Sequence, residues 1–191
     1  MKFAAAVGLT LLASAAAAQN YTVEGSCRDG APHGGYELRD AKGQVRVVGA
    51  FNRGKRAGSF LFWSSAGARI AQLPYEDDLL SGTLAVWFSG ADRTGDPRPR
   101  LEAAYVQGRL SGDKRSWFPE GRVRAELRYD NGVLVAARAF GETGKLLPES
   151  DARTLAMRDF DADAAYIASL ETMVRNNPPR CEPASDRLEK A

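Results

Sequence analysis

Histidine is almost absent from this chain. His33 is the single one among 191 residues, which excludes metal sites built on clustered imidazoles and most acid–base arrangements that depend on a histidine. Cysteine is nearly as scarce, with Cys27 and Cys181 alone, too few for a cysteine-based zinc site. Neither sign of charge dominates: 26 basic and 24 acidic residues leave a formal +2. No basic stripe has the density that nucleic-acid recognition needs, so no nucleic-acid partner is expected. After the amino terminus no apolar run reaches the roughly 20 residues of a membrane-spanning helix. What the chain has is 44% hydrophobic residues, enough for one core at this length, and 19 glycines.

Residues 1–18 read as a secretory signal peptide. Lys2 supplies the basic start, Phe3 to Ala13 the apolar stretch with Val7, Leu9, Leu11 and Leu12, and Ala16 and Ala18 the small residues before a cut at Gln19. Glu24-Gly25-Ser26 before Cys27 is not a lipid-attachment sequence. The mature protein is therefore expected to be periplasmic or secreted. In such an oxidising compartment Cys27 and Cys181 are expected to form a disulfide, worth roughly 4 to 5 kcal/mol on the chain-entropy account; two unrelated thiols is the alternative.

The middle of the chain repeats with a period of 24 residues. Units begin at Cys27, Phe51, Tyr75, Tyr105 and Tyr129, with six extra residues between the third and fourth. The fourth column holds Gly30, Gly54, Asp78, Gly108 and Gly132; the eighth holds Gly34, Gly58, Gly82, Gly112 and Ala136. The thirteenth holds Trp63, Trp87 and Trp117, all the tryptophans of the protein. Glycine returns as Gly43, Gly67, Gly121 and, one place early, Gly144. Strand-rich segments such as Ser59 to Trp63 and Thr83 to Phe88 alternate with glycine turns and with Asn131-Gly132, the pattern of successive β-hairpins. The expectation is a mainly β fold: an elongated antiparallel hairpin meander over 19–148 in which the aromatics of columns one and thirteen stack from unit to unit.

Tyr105-Val-Gln-Gly-Arg-Leu-Ser-Gly-Asp-Lys-Arg-Ser-Trp-Phe-Pro-Glu-Gly121, with its weaker copies from Gly25 to Leu147, resembles the MORN repeat. It is similar in particular to the bacterial variant labelled YwqK-family antitoxin. The resemblance implies a twisted sheet of hairpins that binds proteins or membranes and performs no chemistry. The antitoxin role implied by the label fits poorly with an exported chain.

The extra residues fall within Ser89 to Arg100, whose glycines, prolines and charges read as an extended surface loop made basic by Arg93, Arg98 and Arg100. Beyond Pro148 a helical segment is expected over 149–177, capped by Ser150-Asp151 and carrying the stripe Phe160, Ala164, Ile167, Leu170 and Val174, with a break near Asp159. The stripe is expected to pack on the repeats, leaving 178–191 as a tail. Asp159, Asp161 and Asp163 fail as a calcium loop, because Ala164 stands where glycine and Leu170 where glutamate is required; the helix dipole accounts for them. No metal, cofactor or catalytic group is expected: Ser64, Ser65 and His33 form no nucleophile motif.

The function expected is that of an exported scaffold holding a protein partner of the cell envelope. Its candidate binding residues are Trp63, Trp87, Trp117, Arg93, Arg98 and Arg100. If the tryptophans lie exposed together they form a binding surface; if they lie under the helix they are core. The alternative is attachment to a membrane surface or an anionic envelope polymer through Arg53, Lys55, Arg56, Lys114 and Arg115 at hairpin tips.

Overall fold

The computed structural model describes residues 20–91 and 97–182; the expected signal peptide, Arg93 and the end of the tail lie outside them. The described chain forms one antiparallel sheet and one helix. The strands are β1 (Thr22–Arg28), β2 (Ala31–Arg39), β3 (Val45–Asn52), β4 (Lys55–Trp63), β5 (Arg69–Glu76), β6 (Leu79–Leu80), β7 (Gly82–Ala91), β8 (Pro97–Val106), β9 (Arg109–Trp117), β10 (Val123–Asp130) and β11 (Val133–Ala139). Apart from the two-residue β6, each pairs with the next along the chain, so the chain meanders across the sheet without a crossover. β6 and β7 occupy one strand position, since both pair with β5. The break between them lies at Ser81-Gly82, beside Pro74, which has no N–H to offer the ladder.

The repeat is visible in the backbone. At every junction between units both central turn residues have positive φ: Asp29-Gly30, Arg53-Gly54, Asp77-Asp78, Gln107-Gly108 and Asn131-Gly132. This is the two-residue hairpin turn whose twist matches that of the strands, and it explains the fourth-column glycines. The N–H at that column then donates to the same carbonyl of the preceding unit: Gly54 to Pro32, Asp78 to Arg56, Gly108 to Leu80 and Gly132 to Leu110, at 2.7 to 3.1 Å. At the opposite sheet edge Gly43, Gly67, Gly121 and Gly144 close the other hairpins by donating to the carbonyl three residues back.

A bulge recurs as well. Opposite Arg39, Trp63, Trp87 and Trp117 the register slips by one, leaving Arg46, Ile70, Arg100 and Arg124 as the extra residues. A bulge turns a side chain toward the other face. Ile70 packs on the core, and Arg100 and Arg124 reach the helix. Residues Ser89–Ala91 and Pro97–Arg100, expected to be loop, are strand: the insertion lengthens β7 and β8 and pairs Ala91 with Pro97.

α1 (Glu149–Arg175) runs unbroken for 27 residues. At about 1.5 Å per residue it is about 40 Å long, and ten strand positions at about 4.8 Å span about 43 Å. The helix is thus long enough to cross every unit. It starts beside β11, where Leu147 donates to Ala139, and ends over β2, where the Tyr36 hydroxyl donates to the Asn177 carbonyl at 2.8 Å. Just beyond, Cys181 is bonded to Cys27 of β1 with S–S 2.05 Å. Pro148, not Ser150-Asp151, occupies the N-cap, without a side-chain cap; a proline just outside the first turn has no N–H to leave unpaired.

Between helix and sheet lies the core, including Leu38, Val47, Phe60, Phe62, Leu73, Leu84 and Val86 from the strands and Ala152, Ala156, Ile167, Leu170 and Val174 from α1. The rings do not stack column on column as expected. Tyr36, Phe51, Phe60 and Tyr75 form an edge-to-face chain at 5.4 to 5.5 Å in which Phe60, from column ten, bridges the column-one rings. Gly49 makes room for Phe60, since a Cβ there would meet its ring at 2.5 Å.

Candidate functional site

The two faces of the sheet differ in what closes them. On the covered face α1 is pinned to successive strands by polar contacts. Asp159 accepts from Arg124 of β10. Asp163 takes Lys114 of β9 at 2.8 Å, with Arg100 of β8 at 3.8 Å. Glu171 accepts from Arg56 of β4 and from the Tyr75 hydroxyl of β5, both at 2.8 Å. The aspartates therefore serve as strand anchors rather than as mere dipole partners, and they fill two places of the buried stripe that runs from Ala152 and Ala156 to Ile167, Leu170 and Val174. The expected stripe members Phe160 and Ala164 lie exposed instead.

Lys114 is 4% exposed and stands in column ten, where other units place Tyr36, Phe60 and Leu84. Asp78 replaces the column-four glycine, and its carboxylate accepts from the Arg56 N–H at 2.8 Å and Nε at 3.0 Å. Arg56 also lies 4.0 Å over the Tyr75 ring. Burial alone would lower the Arg56 pKa, but Tyr75, Asp78 and Glu171 outweigh it and raise the value. Burial pushes the Tyr75 and Tyr36 hydroxyls far up, and Tyr105 up to about 12.

Beside the helix a groove of about 330 Å³ is lined by Leu80, Leu110, Phe160 and Ile167 with Lys114, Asp163 and Glu171. Each of those three charged groups already has its partner, and Arg109, which also lines the groove, donates to the Asn131 side chain at 3.1 Å. His33 accepts the Arg53 N–H at 3.4 Å and Ser64 accepts from Ala66 and Ala68 in its own turn. Among the described residues no group of three or more His, Cys, Asp or Glu is placed to hold a metal ion.

The other face has no helix over it. Alternation along β4, β7 and β9 places Trp63, Trp87 and Trp117 opposite in direction to their neighbours Phe62, Val86 and Ser116, hence away from α1. All three are half-buried and stand outside the core cluster. Arg69, paired across from Trp63, lays its guanidinium 4.5 Å over the Trp87 ring. Pro99 faces Trp87 and Val123 faces Trp117. One step along the strands a second row runs straight across the face: Val48, Leu61, Gln72 and Ala85, then Glu102, Arg115, Glu126 and Arg138. The row continues past Val48 to Glu37 and Glu24; its middle, Val48 to Ala85, is uncharged, and its other end carries the ion pairs Arg115–Glu126 at 3.2 Å and Arg138–Glu126 at 3.6 Å.

The expected binding residues thus separate. Trp63, Trp87 and Trp117 share one line on the uncovered face. Arg98 bridges to the next hairpin by donating to the Pro119 carbonyl at 2.8 Å, while Arg100 lies under the helix, 4.7 Å over the Tyr166 ring. Of the cations expected at hairpin tips, Arg56 and Lys114 are held within the covered face, Arg115 belongs to the charge ladder, and Lys55 pairs with Asp77 at 3.6 Å. Arg69 was missed from the sequence, although its fixed distance of six residues after Trp63 and the glycine turn between them place it across from that ring. No helix among the described residues is long and apolar enough to cross a membrane. No protein-family model matches the chain, and no curated protein matches it.

Proposed function

We propose that this chain is an exported MORN-like repeat scaffold, without catalytic activity of its own, that holds a partner in the cell envelope on its uncovered face. The observation that carries the reading is the asymmetry of the sheet. One face is sealed by a helix that crosses every unit, while the other keeps a line of three half-buried tryptophans with an arginine among them. Tryptophan and arginine are the residues that dominate binding energy at interfaces. The signal-like residues 1–18 and the Cys27–Cys181 bridge support export, and hairpin units with equivalent backbone hydrogen bonds support the MORN likeness.

The first partner class is a protein; the toxin-neutralising role carried by the family label is a narrower form of it. Crosslinking and mass spectrometry on the mature protein in its native envelope tests the scaffold. Crosslinks should map to β4, β7 and β9 and disappear in the triple variant Trp63→Ala, Trp87→Ala, Trp117→Ala. Unchanged capture by that variant, or crosslinks confined to α1, would count against the uncovered face. A second reading keeps the scaffold and changes the partner to an anionic envelope polymer. It is favoured by Arg69, whose guanidinium has no carboxylate partner among the described residues and lies on the tryptophan row.

A further inference from the structure

The spacing of the tryptophan row narrows the partner's chemistry, and this step rests on the second reading above. Trp63, Trp87 and Trp117 belong to β4, β7 and β9, and each lies two strand positions from the next. Two positions are about 9.5 Å, slightly shorter than one disaccharide in an extended β-1,4-linked glycan. In such a chain every sugar is turned over relative to its neighbour, so the same pyranose face returns once per disaccharide. In the sheet the same side-chain column likewise returns once per antiparallel pair. We propose that the uncovered face binds an acidic β-1,4-linked glycan laid across the strands, with alternate sugar rings stacked on Trp63, Trp87 and Trp117.

The surroundings suit that ligand. Apolar C–H faces of pyranose rings stack on aromatic faces, and Trp63, Trp87 and Trp117 supply three such rings in one row; a sugar seated on Trp87 displaces the Arg69 guanidinium that lies 4.5 Å over it. The adjacent strip of Val48, Leu61, Gln72 and Ala85 is uncharged, leaving a chain room to lie flat over β3 to β7. The tryptophan row itself contains no carboxylate: Arg69 and Pro99 alternate with the rings. Arg69 stands between Trp63 and Trp87, where the intervening sugar of the disaccharide would place an acidic substituent. The right-handed twist of the sheet, about 20° per strand, requires the glycan to wind as it crosses, which rotation about its glycosidic bonds allows. In the neighbouring row Glu126 is paired with Arg115 and Arg138, and Glu102 stands across the ladder from Arg115.

Binding is read from tryptophan fluorescence of the mature, disulfide-bonded protein. The probes are chitin oligosaccharides of increasing length, bacterial-wall glycan strands bearing lactyl carboxylates, and α-1,6-linked dextran. Affinity should rise with chain length up to on the order of five sugars, the span of three rings at this pitch. It should be higher for the carboxylate-bearing strands, and dextran should not bind. Trp87→Ala should weaken binding at least about tenfold, Trp87→Tyr should retain most of it, and Arg69→Gln should abolish only the preference for the acidic strands. Circular dichroism confirms that each variant folds. No length dependence, equal binding of dextran, or full binding by folded Trp87→Ala overturns the glycan assignment. Loss of glycan binding alone leaves the scaffold standing if the crosslinked envelope partner still requires the tryptophans; independence of both from the tryptophans removes both.

Discussion

The covered and uncovered faces are written by the same repeat, yet they use their columns in opposite ways. Column ten, under α1, changes from unit to unit: Tyr36, Phe60, Leu84 and Lys114. Tyr36 is answered by the Asn177 carbonyl, Phe60 by its neighbouring rings and Lys114 by Asp163. Column thirteen, on the uncovered face, keeps one residue type through three units. A surface matched once to a single helix can vary along its length, because each position has its own partner. A surface that presents the same aromatic group at equal intervals suits a ligand that is itself periodic. The difference separates the two jobs of the sheet: one face secures the fold, the other remains available.

The largest expected effect lies where the helix is tied to the first unit. Cys181→Ser opens a loop closed over a sequence separation of 154 residues and should lower unfolding free energy by roughly 4 to 5 kcal/mol on the chain-entropy account. Chemical denaturation under oxidising conditions measures it, and Cys27→Ser should match it within error. Hydrogen exchange should rise in the last turns of α1, where Tyr36 holds the Asn177 carbonyl, and remain low in β4, β7 and β9. If exchange rises equally along the tryptophan strands, the faces are not independent and the comparison breaks.

A second effect sharpens the contrast within the covered face. Asp163→Ala leaves Lys114 buried without its carboxylate and should cost about 3 to 5 kcal/mol. Replacing both partners, with Lys114→Leu and Asp163→Leu, gives column ten the kind of residue found at Leu84 and should recover all but about 1 kcal/mol. A double variant as unstable as the single one would mean that the pair positions the helix in a way that packing cannot replace.

These pairs also mark where sequence reasoning reaches its limit. Glycine columns, hairpins, the disulfide and the 149–177 helix are legible because each depends on local backbone geometry or on compartment: φ > 0 at Gly54 or Gly132 follows from a two-residue turn wherever it occurs. Asp159 and Asp163 were not legible as anchors, because an apolar-stripe search discards charged residues at stripe positions. Their partners Arg124, Lys114 and Arg100 lie on other strands. Arg100 was assigned to a loop because the prolines around it hid a bulge, which tolerates Pro99 where a regular ladder would not. The tryptophans were legible as a column but not as a face. A one-residue slip in register reverses which side they occupy, and the recurring bulge falls at that point in each hairpin.

The covered face should also respond to alkali. Burial raises the pKa of Tyr36, Tyr75, Tyr105, Tyr129 and Tyr166 in the folded protein. The unfolded chain releases these protons first, so the folded state binds more protons above the ordinary tyrosine pKa of about 10. Stability is therefore unaffected at neutral pH and falls as pH rises past about 10, by at most about 1.4 kcal/mol per pH unit for each tyrosine. Denaturation midpoints from pH 8 to 11 should show that decline, and the phenolate absorbance of the native protein should appear chiefly on unfolding. Phenolate signals that develop in the native protein near pH 10 would place these rings in solvent.

The smallest effect is the most pointed test of the uncovered face. Phe60→Ala, at a fully buried ring of the aromatic chain, should cost about 3 to 5 kcal/mol. Trp87→Ala removes a larger ring, but one that is half-buried and covered by the Arg69 guanidinium, a contact worth about 0.5 to 1 kcal/mol at an exposed site. Its cost should be near 1 kcal/mol, well below that of Phe60→Ala despite the greater loss of atoms. A cost equal to that of Phe60→Ala would show that the tryptophans form a second core, and column thirteen would then owe its uniformity to packing. A small cost leaves three large rings retained at equal intervals without a structural demand for them, and binding is the property that then explains their retention.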